Sequence, residues 1–110
     1  MGRFVKGDIV VIPFPFSDLS GSKKRPALVL AQLLGDDVIL CQITSQSSAD
    51  RYSVALSKAD CLNGALIQDS NARPNRLFTA DSSIIAYRAC SLSDAKTAEV
   101  VHSVIAILNS

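Results

Sequence analysis

A chain of 110 residues with 48% apolar and 19% charged side chains has the length of one domain and the composition of a folded one, which excludes both a multidomain protein and a disordered chain. A domain of this size buries roughly two thirds of the surface of its extended chain, enough core to stand without disulfides or a metal. Eleven Lys and Arg against ten Asp and Glu leave a net charge of +1, so the sum alone gives no sign of a polyanionic partner.

The N-terminus carries Arg3, Lys6 and Asp8, which leaves no uncharged stretch of signal-peptide length before Pro13, and Lys6 stands where a myristoylation motif requires Ser or Thr. A cytoplasmic protein is expected. The β-branched run DIVVI (8–12) reads as a first strand that stops at Pro13 and Pro15. A long loop to Arg25 follows, holding Phe14, Phe16, a turn at 18–22 and the basic cluster Lys23, Lys24 and Arg25. ALVLA (27–31) and VILCQI (38–43) read as a hairpin about the turn Gly35-Asp36-Asp37. Their continuous apolar character predicts central strands buried on both faces. The apolar runs are far too short for the roughly 18 to 20 residues of a membrane-spanning helix.

Beyond a polar stretch at 44–51, a short strand is expected near Ser53 to Leu56, then a helical turn from Lys58 to Asn63 ended by Gly64. ALIQD (65–69), RLFTA (76–80) and SIIAYR (83–88) are further strand candidates, spaced for a small barrel or a strongly bent sheet. Ser91 or Ser93 can cap a C-terminal helix with Asp94 and Glu99 early in it. Ala98, Val101, Ile105 and Leu108 give that helix an apolar stripe to set against the sheet.

Chemistry-bearing residues are sparse. Cys41, Cys61 and Cys90 form no CxxC pair and are odd in number, so they read as reduced thiols, neither a disulfide framework nor a zinc site. The single histidine, His102, lies in the helical segment, and no GxSxG, GxGxxG, P-loop or HExxH pattern occurs. An enzyme built from this chain works with hydroxyls, amides and guanidinium groups. Charge by segment says more than the total. Basic clusters stand at Lys23 to Arg25 and at Arg73 and Arg76, whereas five aspartates fall between residues 31 and 70. Read alone, each cluster is either a phosphate-binding site, since Arg offers a planar fork of donors, or a solvated surface. Thr44-Ser45-Gln46 emerges directly after a buried strand, as a polar turn or as a set of site residues.

Three segments together, GDIVVIPFPFSDLSGSKKRPALVL (7–30), QITSQ (42–46) and GALIQDSNARPNRLFTAD (64–81), resemble the PemK/MazF family of toxins from bacterial toxin–antitoxin pairs. The resemblance implies one domain over 1–110, mainly β with a C-terminal α-helix, as an SH3-like, strongly bent β-barrel. It also implies a ribosome-independent endoribonuclease that cuts single-stranded RNA at short sequences without a metal or cofactor. Carried over residue by residue, the Arg of the Arg-Pro pair and the Thr of Ile-Thr-Ser make Arg25 and Thr44 catalytic. Phe16, Ser22, Lys23, Lys24, Ser45, Gln46, Arg73 and Arg76 are then RNA-binding candidates. Arg76 departs from the Lys found in many relatives. A Phe of the loop can stack on a base, although Phe14 can equally plug the barrel end. The implied partners are single-stranded RNA, a second copy of the chain and a cognate antitoxin whose acidic, flexible tail covers the basic groove. Operator DNA is reached only through the antitoxin complex. The alternatives are a non-nucleolytic binding protein on the same barrel, such as a DNA gyrase poison, and a remnant that binds only antitoxin and DNA.

Overall fold

A computed structural model of the chain describes residues 4–15, 22–45, 51–66 and 68–110, leaving aside the side chains of residues 14, 15, 22 and 23. Seven antiparallel strands, β1 (Asp8–Pro15), β2 (Ser22–Gln32), β3 (Asp37–Thr44), β4 (Val54–Leu56), β5 (Cys61–Leu62), β6 (Ser70–Asp81) and β7 (Tyr87–Leu92), form one sheet in the order β4-β6-β3-β2-β1-β7-β5. Helix α1 (Asp94–Leu108) closes the chain. No helix among the described residues is long and apolar enough to cross a membrane.

The sheet is curled. Ile9, Leu28, Cys41, Ile43, Val54, Ala72, Cys90 and Leu92 come from six strands spread across its width, yet they pack in one buried cluster together with Val100 of the helix. A flat sheet would hold its first and sixth strands some 25 Å apart, at about 4.8 Å per strand. On the other face Val10, Ile12, Ala27, Val29, Val38 and Leu40 form a second cluster, closed by Phe4, Phe78, Ala80 and Ile85. Burial on both faces explains why β2 and β3 read as unbroken apolar runs.

Register shifts mark where the curl is made. Ala89 of β7 is bypassed between the pairs Ile9↔Cys90 and Val10↔Arg88, and Leu30 between Val29↔Leu40 and Ala31↔Ile39. The largest shift lies in β6: Ala72 faces Ile43 and Leu77 faces Cys41, so Arg73, Pro74, Asn75 and Arg76 stand against Gln42 alone. Such excursions bend the bulged strand and sharpen its twist. The proline in this one has no N–H to leave unbonded.

Several expected boundaries move. β1 does not stop at Pro13 but runs to Pro15, paired with β2 through Pro13↔Lys24 and Pro15↔Ser22. The carbonyl of Val11 accepts from Ala86 N at 2.8 Å, so that parity of β1 faces β7. Pro13 and Pro15 share it, and their nitrogens aim beyond the end of β7, where no donor is needed. Lys23, Lys24 and Arg25 accordingly lie on β2 rather than in a loop. The helical turn expected over 58–63 shortens to a 3-10 turn, Lys58–Asp60, followed at once by β5. Residues 65, 66, 68 and 69, the described part of the expected 65–69 strand, are not in a strand. The 83–88 segment divides into a 3-10 turn, Ser82–Ile84, and the start of β7.

The helix turns a different side to the sheet from the one its stripe predicts. Ser93 caps it, its Oγ accepting from Lys96 N at 3.2 Å. Thr97 and Val100 are buried, whereas Ile105 and Leu108 are 50% and 73% exposed and Ala98 is exposed too. Two apolar rows one residue apart run along this Ala-, Val- and Ile-rich helix. The row through Val100 is the one the curled sheet receives.

Candidate active site

Arg25 and Thr44 lie just beyond the paired part of the β2–β3 ladder, whose last pair on their side is Ala27↔Gln42, after Leu28↔Cys41 and Val29↔Leu40. By the pleat, Arg25 and Thr44 project to the face that carries Ala27 and Gln42, and Lys24 and Ser45 to the opposite one. Arg25 is half-buried, and Thr44, which ends β3 and pairs with Asn71 of β6, is buried.

Two hollows flank this rim. The first, about 600 Å³, has Val11, Pro26 and Ile43 as its floor, Lys24, Arg25 and Ser45 at one side, Ala65, Leu66, Gln68 and Ser70 at another, and Tyr87, Arg88 and Ala89 of β7 opposite. The second, about 760 Å³, holds Ile12, Pro13, Gln42, Asn75 and Arg76, with Leu77, Phe78 and Ile84 nearby. Ile12 of the second hollow is the β1 partner of Arg25, which lines the first.

The β7 wall of the first hollow is held from behind. Asp8 is 3% exposed. Its Oδ2 accepts from Val5 N at 2.9 Å and pairs with Arg88 Nε at 3.0 Å, while the Arg88 guanidinium lies 5.5 Å from the Phe4 ring centre. A carboxylate and an aromatic face thus fix a second guanidinium across the hollow from Arg25. The third wall depends on the bypassed residue of β7: with no partner on β1, the Ala89 carbonyl accepts from Ala65 N at 3.3 Å. Gly64 (φ 150°) passes so close to that carbonyl that no Cβ fits.

Of the residues expected from sequence, Lys24, Arg25 and Ser45 share the first hollow, whereas Thr44, buried and paired with Asn71, does not line it. Arg76 lies in the second. Arg73 is half-buried within the β6 excursion, its carbonyl accepting from Cys41 Sγ at 3.2 Å. Phe16 and Gln46 lie outside the described residues, as do the side chains of Phe14, Ser22 and Lys23, whose backbone runs in β1 and β2. Sequence reasoning missed Gln68, Ser70, Tyr87 and Arg88. The mark for the last two was available: a large polar pair ends the apolar run SIIAYR. Cys41, buried in the core, has its thiol pushed up to about 12 by burial, which leaves it protonated and unreactive at neutral pH.

The sequence profile of the PemK-like, MazF-like toxins of type II toxin–antitoxin systems matches residues 5–108. No curated protein matches the chain. Among solved structures, the fold is similar to a chain of the MazE–MazF complex (form III) from Deinococcus radiodurans, with a TM-score of 0.78 at 18% identity over 98% of each chain. It is also similar to an endoribonuclease from a mycobacterial species, TM-score 0.74 at 14% identity over 99% of this chain and 94% of that one. A mycobacterial endoribonuclease in complex with its cognate antitoxin gives 0.73 at 14% identity over 97% and 96%. At these identities the likeness is one of fold.

Proposed function

Since the chain belongs to the PemK-like, MazF-like toxin family of type II toxin–antitoxin systems, we propose that it is an endoribonuclease that cuts single-stranded RNA at short sequences, without a metal, and so arrests translation and growth. The observation that supports this reading is the first hollow, which gathers Lys24, Arg25 and Ser45 with Arg88, close to the end of β3 where Thr44 stands.

The chemistry follows from those two groups. The ribose 2′-hydroxyl gives its proton to solvent as its oxygen attacks the adjacent phosphorus, charge builds on the non-bridging oxygens, and the 5′-oxygen leaves as a hydroxyl, closing a cyclic phosphate; a proton from solvent restores the donor. Arg25 meets that charge with paired donors and gives a proton to the leaving oxygen, while Thr44 holds a phosphate oxygen by its hydroxyl. Lys24 and Arg88 supply further positive charge to flanking phosphates, and Tyr87, 52% exposed, offers a ring on which a base stacks.

We further propose that the active form is a homodimer, located in the bacterial cytoplasm, and that a cognate antitoxin silences it by laying an acidic segment over the basic rim. Support comes from the solved complexes of similar fold, one a MazE–MazF pair and one an endoribonuclease with its antitoxin. Operator DNA is then reached through the antitoxin. The test is incubation of the purified chain with single-stranded RNA in EDTA, followed by sequencing of the ends. Cyclic phosphate or 3′-phosphate termini with 5′-hydroxyls at a recurrent short sequence are expected. Intact RNA, or cleavage only on addition of Mg²⁺, overturns the proposal and points instead to a binding protein on the same fold.

A further inference from the structure

The wall carrying Ala65 and Leu66 begins at a pair of thiols. Cys61 on the two-residue edge strand β5 and Cys90 on β7 come from adjacent strands, joined by the pairs Cys61↔Leu92 and Leu62↔Ser91. The Cys90 thiol donates toward Cys61 Sγ, and the two sulfurs are 2.6 Å apart. A disulfide needs about 2.05 Å, a closure of roughly half an ångström that a two-residue edge strand accommodates. Cys90 is fully buried and Cys61 half-buried, so an oxidant reaches the pair through Cys61. Both are free thiols, as is Cys41, which is buried in β3 and bonded to the Arg73 carbonyl.

We propose that Cys61 and Cys90 are a redox pair, oxidised by a peroxide to an intramolecular disulfide and returned by thiol reductants, and that this bond fixes the 61–66 wall of the first hollow to β7. Cys61 sulfur attacks one peroxide oxygen, the O–O bond breaks, and water leaves with the thiol proton, giving Cys61 sulfenic acid. Cys90 sulfur then attacks Cys61 sulfur, the S–O bond breaks, and a second water carries away the hydroxyl with the Cys90 proton. Each sulfur loses one electron and the peroxide gains two. The order of events follows from access, Cys61 being the half-buried thiol and Cys90 the buried one; burial first, then the hydrogen bond to Cys61, pushes the Cys90 thiol up to about 12.

The bond acts on the hollow because β5 leads directly into the wall formed by Ala65 and Leu66. After Leu62 the chain turns through Asn63 (φ 55°) and Gly64 (φ 150°) and is held to β7 at Ala65 by the 3.3 Å bond to Ala89. The pair needs nothing from the nuclease assignment, and its test uses no RNA. The purified full chain is treated with hydrogen peroxide, denatured, alkylated and mapped. Reactive thiols should fall from three to one, with Cys61 joined to Cys90, Cys41 alkylated, and all three recovered after dithiothreitol. Hydrogen exchange at Leu62 and Ala65 should slow in the oxidised chain and recover on reduction. Three persistent thiols, a bond that includes Cys41, cross-linked dimers, or Cys61 trapped as sulfinic acid overturns the redox pair. A bond with unchanged exchange at Leu62 and Ala65 overturns its effect on the wall. The Cys61→Ser chain, checked by circular dichroism, should form no bond; a bond formed there also overturns the pair.

Discussion

Arg25 and Thr44 are held in place by the main chain of β2 and β3, so their proposed roles can be tested by side-chain substitution. Arg25→Ala should lower RNA cleavage by about 100 to 1000-fold, the usual loss when one charge-stabilising donor is removed, with an unchanged circular dichroism spectrum. Arg25→Lys should recover only part of the rate, because an ammonium does not reproduce the fork. Thr44→Ser should keep activity and Thr44→Val should lose it, the isosteric change deleting only the hydroxyl; equal activity in both would remove Thr44 from the chemistry. Another residue sets the acid response. Asp60 accepts from the Ser57 N–H at 2.8 Å and from its hydroxyl at 3.1 Å, and the backbone bond above all lowers its pKa from the ordinary 3.8. A carboxyl depressed in the folded state adds stability at pH values above about 4, and that stability is lost as pH falls through the folded value. Asp60→Asn should therefore lower the urea midpoint at pH 7. The difference from the native chain should shrink as pH falls below about 4.

At the scale of elements, the helix gives a sharp contrast. Val100→Ala should destabilise by about 2 kcal/mol through a cavity in the cluster shared with six strands. Leu108→Ala, on the exposed row, should change urea unfolding by less than about 0.5 kcal/mol. A stripe read from sequence identifies an amphipathic helix but cannot choose between two apolar rows a single residue apart; that choice belongs to the curvature of the sheet. The same limit governs the strands. Their existence at 8–12, 27–31, 38–43 and 76–80 was legible because apolar, β-branched runs have one physical use. The described part of the 65–69 segment, residues 65, 66, 68 and 69, has the composition of a strand and is none: just before it the chain at Gly64 is pressed against a bypassed residue of β7. Gly64→Ala should accordingly release this wall, seen as faster hydrogen exchange at Ala65. Likewise Arg25 and Thr44 were named from a motif, whereas Arg88 was not, since its place depends on Asp8 and Phe4, some 80 residues away in sequence.

For the molecule as a whole, the net charge of +1 hides a local concentration of bases at Lys24, Arg25 and Arg88 around one hollow. RNA binding should weaken with salt only modestly. At about 0.7 per phosphate for single strands, two or three contacts give a log–log slope of roughly −2. A slope several times steeper would mean that the footprint extends well beyond this hollow.

The two prolines that end β1 reach further than their own strand. A sheet with exposed margins invites other chains to add to it, main chain to main chain. Among the described residues, the outer strands β4 and β5 are three and two residues long, and the free stretch of β1 beyond Val11 carries Pro13 and Pro15 where donors would be. The longer margin among the described residues is that of β6 beyond Ala72, where its pairing with β4 ends. Elsewhere a docking chain must recognise side chains and hollows, so mutations on the surface rather than in the backbone ladder should decide which partners bind there.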